Sequence, residues 1–310
     1  MSNQRLWLSA IALVALASAF AYRGSVYREP PVLSTPRIAF VTGGAGPFWQ
    51  LTIDGAKSAA KDCHVLLQVA SPTGDENLDQ QISILSHLDL AQFDGVALSP
   101  LDAEGQTHLI NRIVREKKVV TFDSDAPLSD RQSYIGTSNI AAGALCARMV
   151  RQAIPEGGKI VVLLSNLTKD NMKDRQSGFQ ESLGQNVVAA GADRPAPSYE
   201  VVDYLLDNGD DETCAVNIRE AVAKHADLSC LVGMNAHHGP VMLSVLKEAG
   251  KLGKIKLITF DDEEATLHGV EDGYVFATIA QDPYKYGYEA VNTLASLCRG
   301  GGNSASRFTG

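Results

Sequence analysis

The 310-residue sequence is poor in the residues that mark several protein classes. Its five Cys include no C-x-x-C pair, which excludes a dense disulfide framework and the common zinc patterns. Basic residues are outnumbered, 27 against 36 acidic ones, and a net charge of −9 argues against a nucleic-acid surface. The apolar fraction of 45% and the charged fraction of 20% are those of an ordinary globular protein, whose length here favours two domains.

Motifs of catalysis and nucleotide binding are also missing. The sequence has no Gly-x-Ser-x-Gly and no Gly-Lys-Ser or Gly-Lys-Thr. The glycine-rich turn at 42–49 carries Trp49 where a dinucleotide fingerprint needs a small residue. His237 and His238 are the only adjacent His pair, and a metal site would need further converging ligands. We therefore expect no metal, no cofactor and no enzymatic activity.

The first 21 residues are typical of a secretory signal peptide. Arg5 precedes an apolar stretch at 6–21, in which Ala17, Ala19 and Ala21 offer small-residue cleavage sites. An uncleaved membrane anchor is the alternative, since a span needs about 20 apolar residues. We expect cleavage and export, with residues 22–36 acting as a linker.

The rest of the chain alternates between strand-like and helical patterns. Strands are predicted in two series, at 37–42, 65–70, 95–99 and 118–122, then at 159–165, 199–205, 228–233, 255–260 and 274–280. Helical patterns include those at 77–90, 174–183, 216–224 and 241–249. The strands are continuously apolar, as expected when helices cover both faces of a parallel sheet. The fold class is therefore α/β, with two doubly wound parallel sheets.

A pentapeptide recurs in corresponding places of the two series. Val-Val-Thr-Phe-Asp ends at Asp123, and Leu-Ile-Thr-Phe-Asp ends at Asp261. Each brings an Asp to the carboxyl edge of a sheet, where open α/β sheets bind ligands. A single Asp of this kind could simply begin a loop or cap a helix. Because the pattern repeats, we predict that both carboxylates face a shared cleft.

Two adjacent aromatic residues, Phe48 and Trp49, follow the first predicted strand. Aromatic rings are suited to stacking on the apolar C–H face of a sugar, because they bury area with little loss of side-chain entropy. The alternative is that both rings fill the core at the start of a helix. The residues alone leave both interpretations open.

Eight short motifs follow one another along the chain: Gly-Pro-Phe-Trp at 46–49, Val-Ala-Leu-Ser-Pro at 96–100, Phe-Asp-Ser-Asp-Ala-Pro at 122–127, Gly-Thr-Ser-Asn at 136–139, Asn-Met-Lys-Asp-Arg-Gln-Ser-Gly-Phe at 171–179, Gly-Met-Asn at 233–235, Thr-Phe-Asp at 259–261 and Ala-Thr-Ile-Ala-Gln at 277–281. In this order and spacing, residues 37 to about 298 resemble the periplasmic sugar-binding proteins of the ribose/galactose type. These are substrate receptors of ABC transporters.

The resemblance implies ten ligand-binding residues: Phe48, Trp49, Asp123, Ser124, Asp125, Asn171, Lys173, Asn235, Asp261 and Gln281. Lys173 and Ser124 fall where ribose receptors carry Arg residues, and Asp125 adds a third carboxylate. These departures leave several ligands open. They are another pentose or hexose, an inositol and an aminosugar, whereas the two missing Arg residues argue against ribose itself.

The resemblance also implies an architecture and a mechanism. An N-terminal domain (37–137 plus 282–298) and a C-terminal domain (138–281) are joined by a hinge, with the ligand cleft between them. The ligand favours the closed form, which a membrane permease then recognises. We expect a periplasmic monomer without a nucleic-acid partner. The alternative function is a ligand-sensing module for a membrane kinase or chemoreceptor.

The C-terminal residues 299–310 are rich in Gly and Ser and predict a flexible tail. The resemblance implies a further strand after the last helix, and this tail leaves no room for one. We therefore expect that the chain is cut before the last hinge strand.

Overall fold

The computed structural model describes residues 7, 13–18, 22, 35–74, 76–184, 197–301 and 307–308. Contacts between Cα atoms divide the chain into the units Met1–Thr35 and Pro36–Gly310. In the first unit, Trp7, Tyr22 and residues 13–18 are helical and exposed. The other residues of the expected signal peptide (1–21), and most of the expected linker, lie outside the described residues. No helix in the described part of the chain combines the length and apolar character needed to cross a membrane.

The second unit contains two parallel sheets. The first consists of β1 (Arg37–Val41), β2 (Leu66–Ala70), β3 (Gly95–Leu98), β4 (Lys118–Phe122), β5 (Ser133–Gly136) and a short last strand, β11 (Arg307–Phe308), in the order β2-β1-β3-β4-β5-β11. The second consists of β6 (Gly157–Leu164), β7 (Ser198–Leu206), β8 (Leu228–Gly233), β9 (Lys256–Phe260) and β10 (Val275–Ile279), in the order β7-β6-β8-β9-β10. The second sheet repeats the strand order of the first, and the predicted fold class is confirmed.

Helices cover both faces of each sheet. They are α1 (Pro47–Asp62), α2 (Leu78–Ser86), α3 (Thr107–Val114), α4 (Asn139–Ala153), α5 (Asp170–Gly184), α6 (Asp211–Lys224), α7 (His238–Glu248), α8 (Glu264–Glu271) and α9 (Pro283–Cys298). Helices α1 and α9 pack on one face of the first sheet, and α2 and α3 pack on the other. On the second sheet, α4 and α5 cover one face, and α6 and α7 cover the other.

Within the described residues, the chain passes between the two sheets in two places. Strand β5 ends at Gly136 in the first sheet, and the next helix, α4, packs on the second. Strand β10 ends at Ile279 in the second sheet, and α9 packs on the first. The crossings therefore lie at about residues 137–138 and 280–282.

Two short strands of the first sheet differ from the sequence expectations. The four-residue strand β5 was not predicted, although it pairs in parallel with β4. The tail was expected to form no strand, yet Arg307–Phe308 pairs in parallel with β5 at the edge of the sheet. Such a pair needs only two residues with extended backbone, so the Gly/Ser-rich composition before it did not reveal it.

At two helix crossings, glycine allows the backbones of the two helices to lie very close to each other. A Cβ on Gly287 of α9 would lie 1.8 Å from the carbonyl oxygen of Thr52 in α1. In the second half, a Cβ on Gly143 of α4 would lie 2.0 Å from the carbonyl oxygen of Arg175 in α5. Only glycine permits backbones to approach so closely. The α4–α5 contact also sets the position of Arg175, which is part of the candidate site.

Candidate functional site

Asp123 and Asp261 occupy equivalent positions at the carboxyl ends of β4 and β9. Both have a left-handed backbone, with φ of 60° and 64°, which costs energy outside glycine. Each backbone N–H donates to a carbonyl of the neighbouring strand, at 3.0 and 2.9 Å. Each Asp carbonyl accepts from a hydroxyl of that strand, Tyr134 at 2.8 Å and Thr278 at 2.6 Å. The two strand ends therefore share one local structure that aims both carboxyl groups.

Both carboxyl groups line a cavity of about 520 Å³, which is formed by residues that follow strands of both sheets. This volume is within the range of roughly 300–1,000 Å³ that small-molecule sites usually have. The cavity brings together seven of the ten residues expected to bind the ligand, namely Phe48, Trp49, Asp123, Asn171, Asn235, Asp261 and Gln281.

The two aromatic residues differ in their environment. Trp49 is only 5% exposed and packs in the core of the first sheet, with its ring centroid 6.5 Å from that of Phe122. Phe48 is half-buried, and its ring meets the edge of Trp49 at 5.2 Å. Both line the cavity. Trp49 is therefore both a core residue and a cavity residue, because one part of its side chain packs in the core and another part lines the cavity.

Arg175 is a central cavity residue that sequence analysis missed. Its guanidinium donates to Asn139 Oδ1 at 2.9 Å, to the Met234 carbonyl at 2.7 Å and to Gln281 Oε1 at 2.8 Å. It also lies 4.2 Å from the centroid of the Phe260 ring. These hydrogen bonds use three of the five N–H donors of an Arg side chain. The guanidinium is therefore fixed in direction while it still has donors for a ligand.

Helical geometry explains why the basic residue of the cavity is Arg175 and not Lys173. Helix α5 begins at Asp170, four residues before the predicted start, so Asn171 and Arg175 lie one turn apart on the same face. Lys173 is turned away from that face by roughly 200°. It forms an exposed ion pair with Glu104 at 2.8 Å instead.

Two further expected residues also lie outside the cavity wall. Asp125 is buried and binds the guanidinium of Arg131 and the hydroxyl of Thr121. Ser124 is fully buried next to it. The strand end turns at Asp123, so only that residue of the Asp-Ser-Asp sequence reaches the cavity. The structure therefore leaves Ser124, Asp125 and Lys173 outside the cavity wall.

A buried ion pair forms another part of the wall. Lys169 Nζ lies 2.9 Å from Glu76 Oε1, and the two side chains are 5% and 8% exposed. Asn166 donates to the other carboxylate oxygen of Glu76 at 2.9 Å. Burial opposes the charge of Lys169, but Glu76 and Asp123 outweigh that effect and raise its pKa. Glu76 follows β2 and Lys169 precedes α5, so the pair links the two halves.

Burial also acts on the carboxyl groups of the cavity. It raises the pKa of Asp261 to about 7. It raises the pKa of Asp123 as well, against the lowering effect of Lys169 and Arg175. The Oδ1 atoms of Asp261 and Asn171 are buried without a hydrogen-bond partner among the described residues. Such acceptors are rare in folded proteins and are suited to donors that a ligand supplies.

Asn235 is held by a polar group behind the cavity wall. Its backbone N–H donates to His238 Nδ1 at 3.0 Å, and the Nε2 atom of His238 lies 2.8 Å from Asp207 Oδ2. His237 Nε2 lies 3.1 Å from the other oxygen of Asp207. Burial lowers the pKa of His238 to about 4, so its ring is neutral near pH 7. Burial opposes ionisation of Asp207, but the two His contacts outweigh it and lower its pKa.

Comparison with known proteins places this geometry in a family. Residues 38–302 match the family described as periplasmic binding protein domain. The D-ribose/D-allose-binding protein of Pseudomonas aeruginosa is 23% identical to this chain, and the match covers 97% of this chain and 92% of that protein. The ribose import binding protein of Salmonella typhimurium is 24% identical, with 93% of each chain covered.

Solved structures share the fold. An ABC transporter solute binding protein of Burkholderia graminis, in complex with D-arabinose, has a TM-score of 0.81 and 27% identity, with 91% of this chain and 95% of that chain covered. XylFII in its complex with LytSN has a TM-score of 0.78 and 24% identity, with 86% and 95% covered. The expectation of a binding protein rather than an enzyme is confirmed by these relatives. The chain belongs to the periplasmic binding protein domain family.

Proposed function

We propose that the protein is an exported receptor, which binds a monosaccharide or related polyol in the cavity and delivers it to the permease of an ABC transporter. The observation that carries the proposal is the pair Asp123 and Asp261, which end equivalent strands of two sheets and line one cavity. The family, the D-ribose/D-allose-binding protein and the solute binding protein in complex with D-arabinose support a sugar as the ligand.

The polar groups of the cavity match the chemistry of a polyol. Asp261 Oδ1 and Asn171 Oδ1 are buried acceptors without partners among the described residues, and Arg175 supplies donors. A hydroxyl group both donates and accepts, so a ring with several hydroxyls can satisfy both kinds of group at once. The half-buried ring of Phe48 offers an apolar face for its C–H groups.

The energies of these contacts are sufficient for specific binding. A hydrogen bond to a charged group contributes about 1.5–3 kcal/mol in a protein. Several such bonds, together with one stacking face, reach the roughly −8 kcal/mol of micromolar affinity after ordering costs. The two chain crossings are the proposed hinge, and the ligand favours the closed form because it touches residues from both sides.

Thermal unfolding with a panel of pentoses, hexoses, inositols and aminosugars tests the proposal. A ligand at 100 times its Kd stabilises the folded state by about 2.7 kcal/mol, which raises Tm by several degrees. Asp261→Asn keeps the shape of the side chain but removes its charge, and we expect it to abolish that rise. Asp262→Asn is the matched control, since Asp262 is the exposed neighbour outside the cavity wall.

Two outcomes would contradict the proposed site. An equal rise in Tm for both variants would mean that the ligand binds elsewhere. No rise with any compound of the panel would remove sugars and polyols as the ligand class.

The signal-peptide pattern of residues 1–21 and the family support a periplasmic location. Sensing for a membrane kinase or chemoreceptor is a second candidate, and the complex of XylFII with LytSN is a case in which a protein of this fold has a protein partner. Deletion of the gene separates the two. Loss of labelled-sugar uptake supports the transport receptor, whereas normal uptake with a lost response to the sugar supports the sensor.

A further inference from the structure

A second cluster of polar side chains lies behind the cavity wall, and the proposed sugar site does not use its full chemistry. Asp207, Cys214, His237 and His238 each offer one ligand atom, and these atoms all lie within 4.8 Å of one another. Three of the four residues are buried, and His237 is half-buried and lines the cavity. A small ion can therefore reach the cluster from the cavity, on the His237 side.

Three separate elements build the cluster. Asp207 follows the last residue of β7, Cys214 lies in the first turns of α6, and His237 immediately precedes α7. The sequence spacing is that of no common zinc motif, which explains why the His pair alone predicted no metal. Because β7 and β8 end at the same edge of the sheet, the fold brings the four side chains together.

The hydrogen bonds of His238 assign its role. Its Nδ1 accepts the N–H of Asn235 at 3.0 Å, so this nitrogen carries no proton. The proton of the neutral ring is then on Nε2, which donates to Asp207 Oδ2 at 2.8 Å. His238 is thus a group that holds a carboxylate in place, as outer-shell residues of metal sites do.

Three ligand atoms remain, the Asp207 Oδ1 oxygen, the Cys214 sulfur and the His237 Nε2 nitrogen. Oδ1 and Nε2 are 3.1 Å apart, close to the roughly 3.3 Å edge of a tetrahedron with metal–ligand bonds of about 2.0–2.1 Å. A mixture of thiolate, imidazole and carboxylate suits Zn²⁺, whereas Ca²⁺ and Mg²⁺ prefer oxygen ligands alone.

We propose that Asp207, Cys214 and His237 form a Zn²⁺ site beside the ligand cavity, with His238 orienting the carboxylate. Binding displaces the thiol proton of Cys214, which is released to solvent. Three protein ligands leave one coordination position, which water fills. All five Cys are free thiols in the structure, so Cys214 is available for this role.

Titration of the untagged, metal-free full chain with Zn²⁺ alone, against a chromophoric chelator, tests the site. We expect one equivalent per chain. Co²⁺ in place of Zn²⁺ should give visible bands of tetrahedral intensity and a sulfur-to-cobalt charge-transfer band, which a site without a thiolate cannot produce. This measurement needs no variant and so does not depend on whether a variant folds.

Variants then assign the ligands. Cys214→Ser should remove the charge-transfer band, while Cys63→Ser, at a half-buried Cys of the first half, should leave it unchanged. His238→Asn should weaken Zn²⁺ binding by about 10–100-fold and keep the band, because it removes the group that orients Asp207 and leaves the Cys214 sulfur in place. Absence of stoichiometric uptake, or a band that survives Cys214→Ser, would overturn the proposal. Sugar binding by the metal-free chain is a separate result and does not bear on it.

Discussion

At the scale of single residues, Asp261 combines two properties that set its response to pH. It is buried, which raises its pKa to about 7, and its Oδ1 has no partner among the described residues. In the unfolded chain the carboxyl group titrates at its ordinary value of about 3.9. Between these two values the folded state holds a proton that the unfolded state has lost, so folding is coupled to protonation.

The stability of the ligand-free protein should therefore fall as pH rises from about 4 to about 7. The slope from Asp261 is at most about 1.4 kcal/mol per pH unit, and it ends above pH 7, where both states are ionised. Urea unfolding across this range, compared with Asp261→Asn, isolates the contribution, because the variant should lose this part of the slope. Asp272→Asn, at an exposed carboxylate just after α8, should follow the unsubstituted protein, because Asp272 is not among the charges that act on Asp261. Parallel curves for all three proteins would show that Asp261 is ionised throughout.

Residues differ in how far the sequence predicts their position. Asp123 and Asp261 were predictable because each ends an apolar strand, and the carboxyl ends of parallel strands meet at one edge. Arg175 was not predictable in this way. Its helix begins at Asp170, earlier than the pattern suggested, so the sequence did not show that Asn171 and Arg175 share a helix face. Once Asn171 is accepted, its partner one turn later is the signal that could have found it. Glu76 and Lys169 lie outside helices and strands, where no periodicity indicates which residues meet.

At the scale of elements, the parallel sheets and their helix layers follow from the alternation of apolar strand-like runs and helical patterns, whereas short pieces do not. All nine predicted strands are found, with ends that differ by at most two residues. Strand β5 was missed because only Tyr134 and Ile135 of its four residues are apolar, whereas the equally short β3 is a continuous apolar run after its first residue, Gly95. This strand matters for the site, because the hydroxyl of Tyr134 in β5 donates a hydrogen bond to the backbone carbonyl of Asp123.

The α4–α5 crossing connects packing to the site, which gives a prediction for Gly143→Ala. The new methyl group would meet the carbonyl oxygen of Arg175 at 2.0 Å, so α5 must move. We expect a loss of about 1–3 kcal/mol in stability and a marked loss of sugar affinity, since Arg175 moves with its helix. Stability comes from urea unfolding, and affinity comes from the ligand-induced rise in Tm.

Two other glycine variants serve as controls for that prediction. Gly269→Ala in α8 should also cost stability, because its Cβ would lie 2.8 Å from Leu243 Cδ1 and 2.9 Å from Val275 Cγ2, and none of these three residues lines the cavity. Gly184→Ala should cost little, since its Cβ would meet nothing within 4 Å. An equal loss of affinity in Gly143→Ala and Gly269→Ala would mean that general destabilisation, not the position of α5, controls binding.

At the scale of the whole chain, the two halves touch each other directly around the cavity. Lys169 pairs with Glu76 in a buried contact, and Lys173 pairs with Glu104 in an exposed one. The hydroxyl of Thr168 also donates to the Leu101 carbonyl at 3.1 Å. If the crossings act as a hinge, these contacts stabilise the closed form before any ligand binds. The ligand then binds more tightly, because it does not have to supply the free energy of closing the two halves.

The buried pair should dominate this closure, and Glu76→Gln tests it against Glu104→Gln. Removal of one partner from a buried pair costs about 3–5 kcal/mol while the remaining charge stays buried, whereas an exposed pair contributes about 0–1 kcal/mol. The Glu76→Gln chain can avoid the cost by opening at the hinge and hydrating Lys169. Its radius of gyration from small-angle X-ray scattering should then increase without ligand, while that of Glu104→Gln stays unchanged. A Glu76→Gln protein that loses stability at an unchanged radius of gyration would mean that the pair holds the fold together and does not control opening.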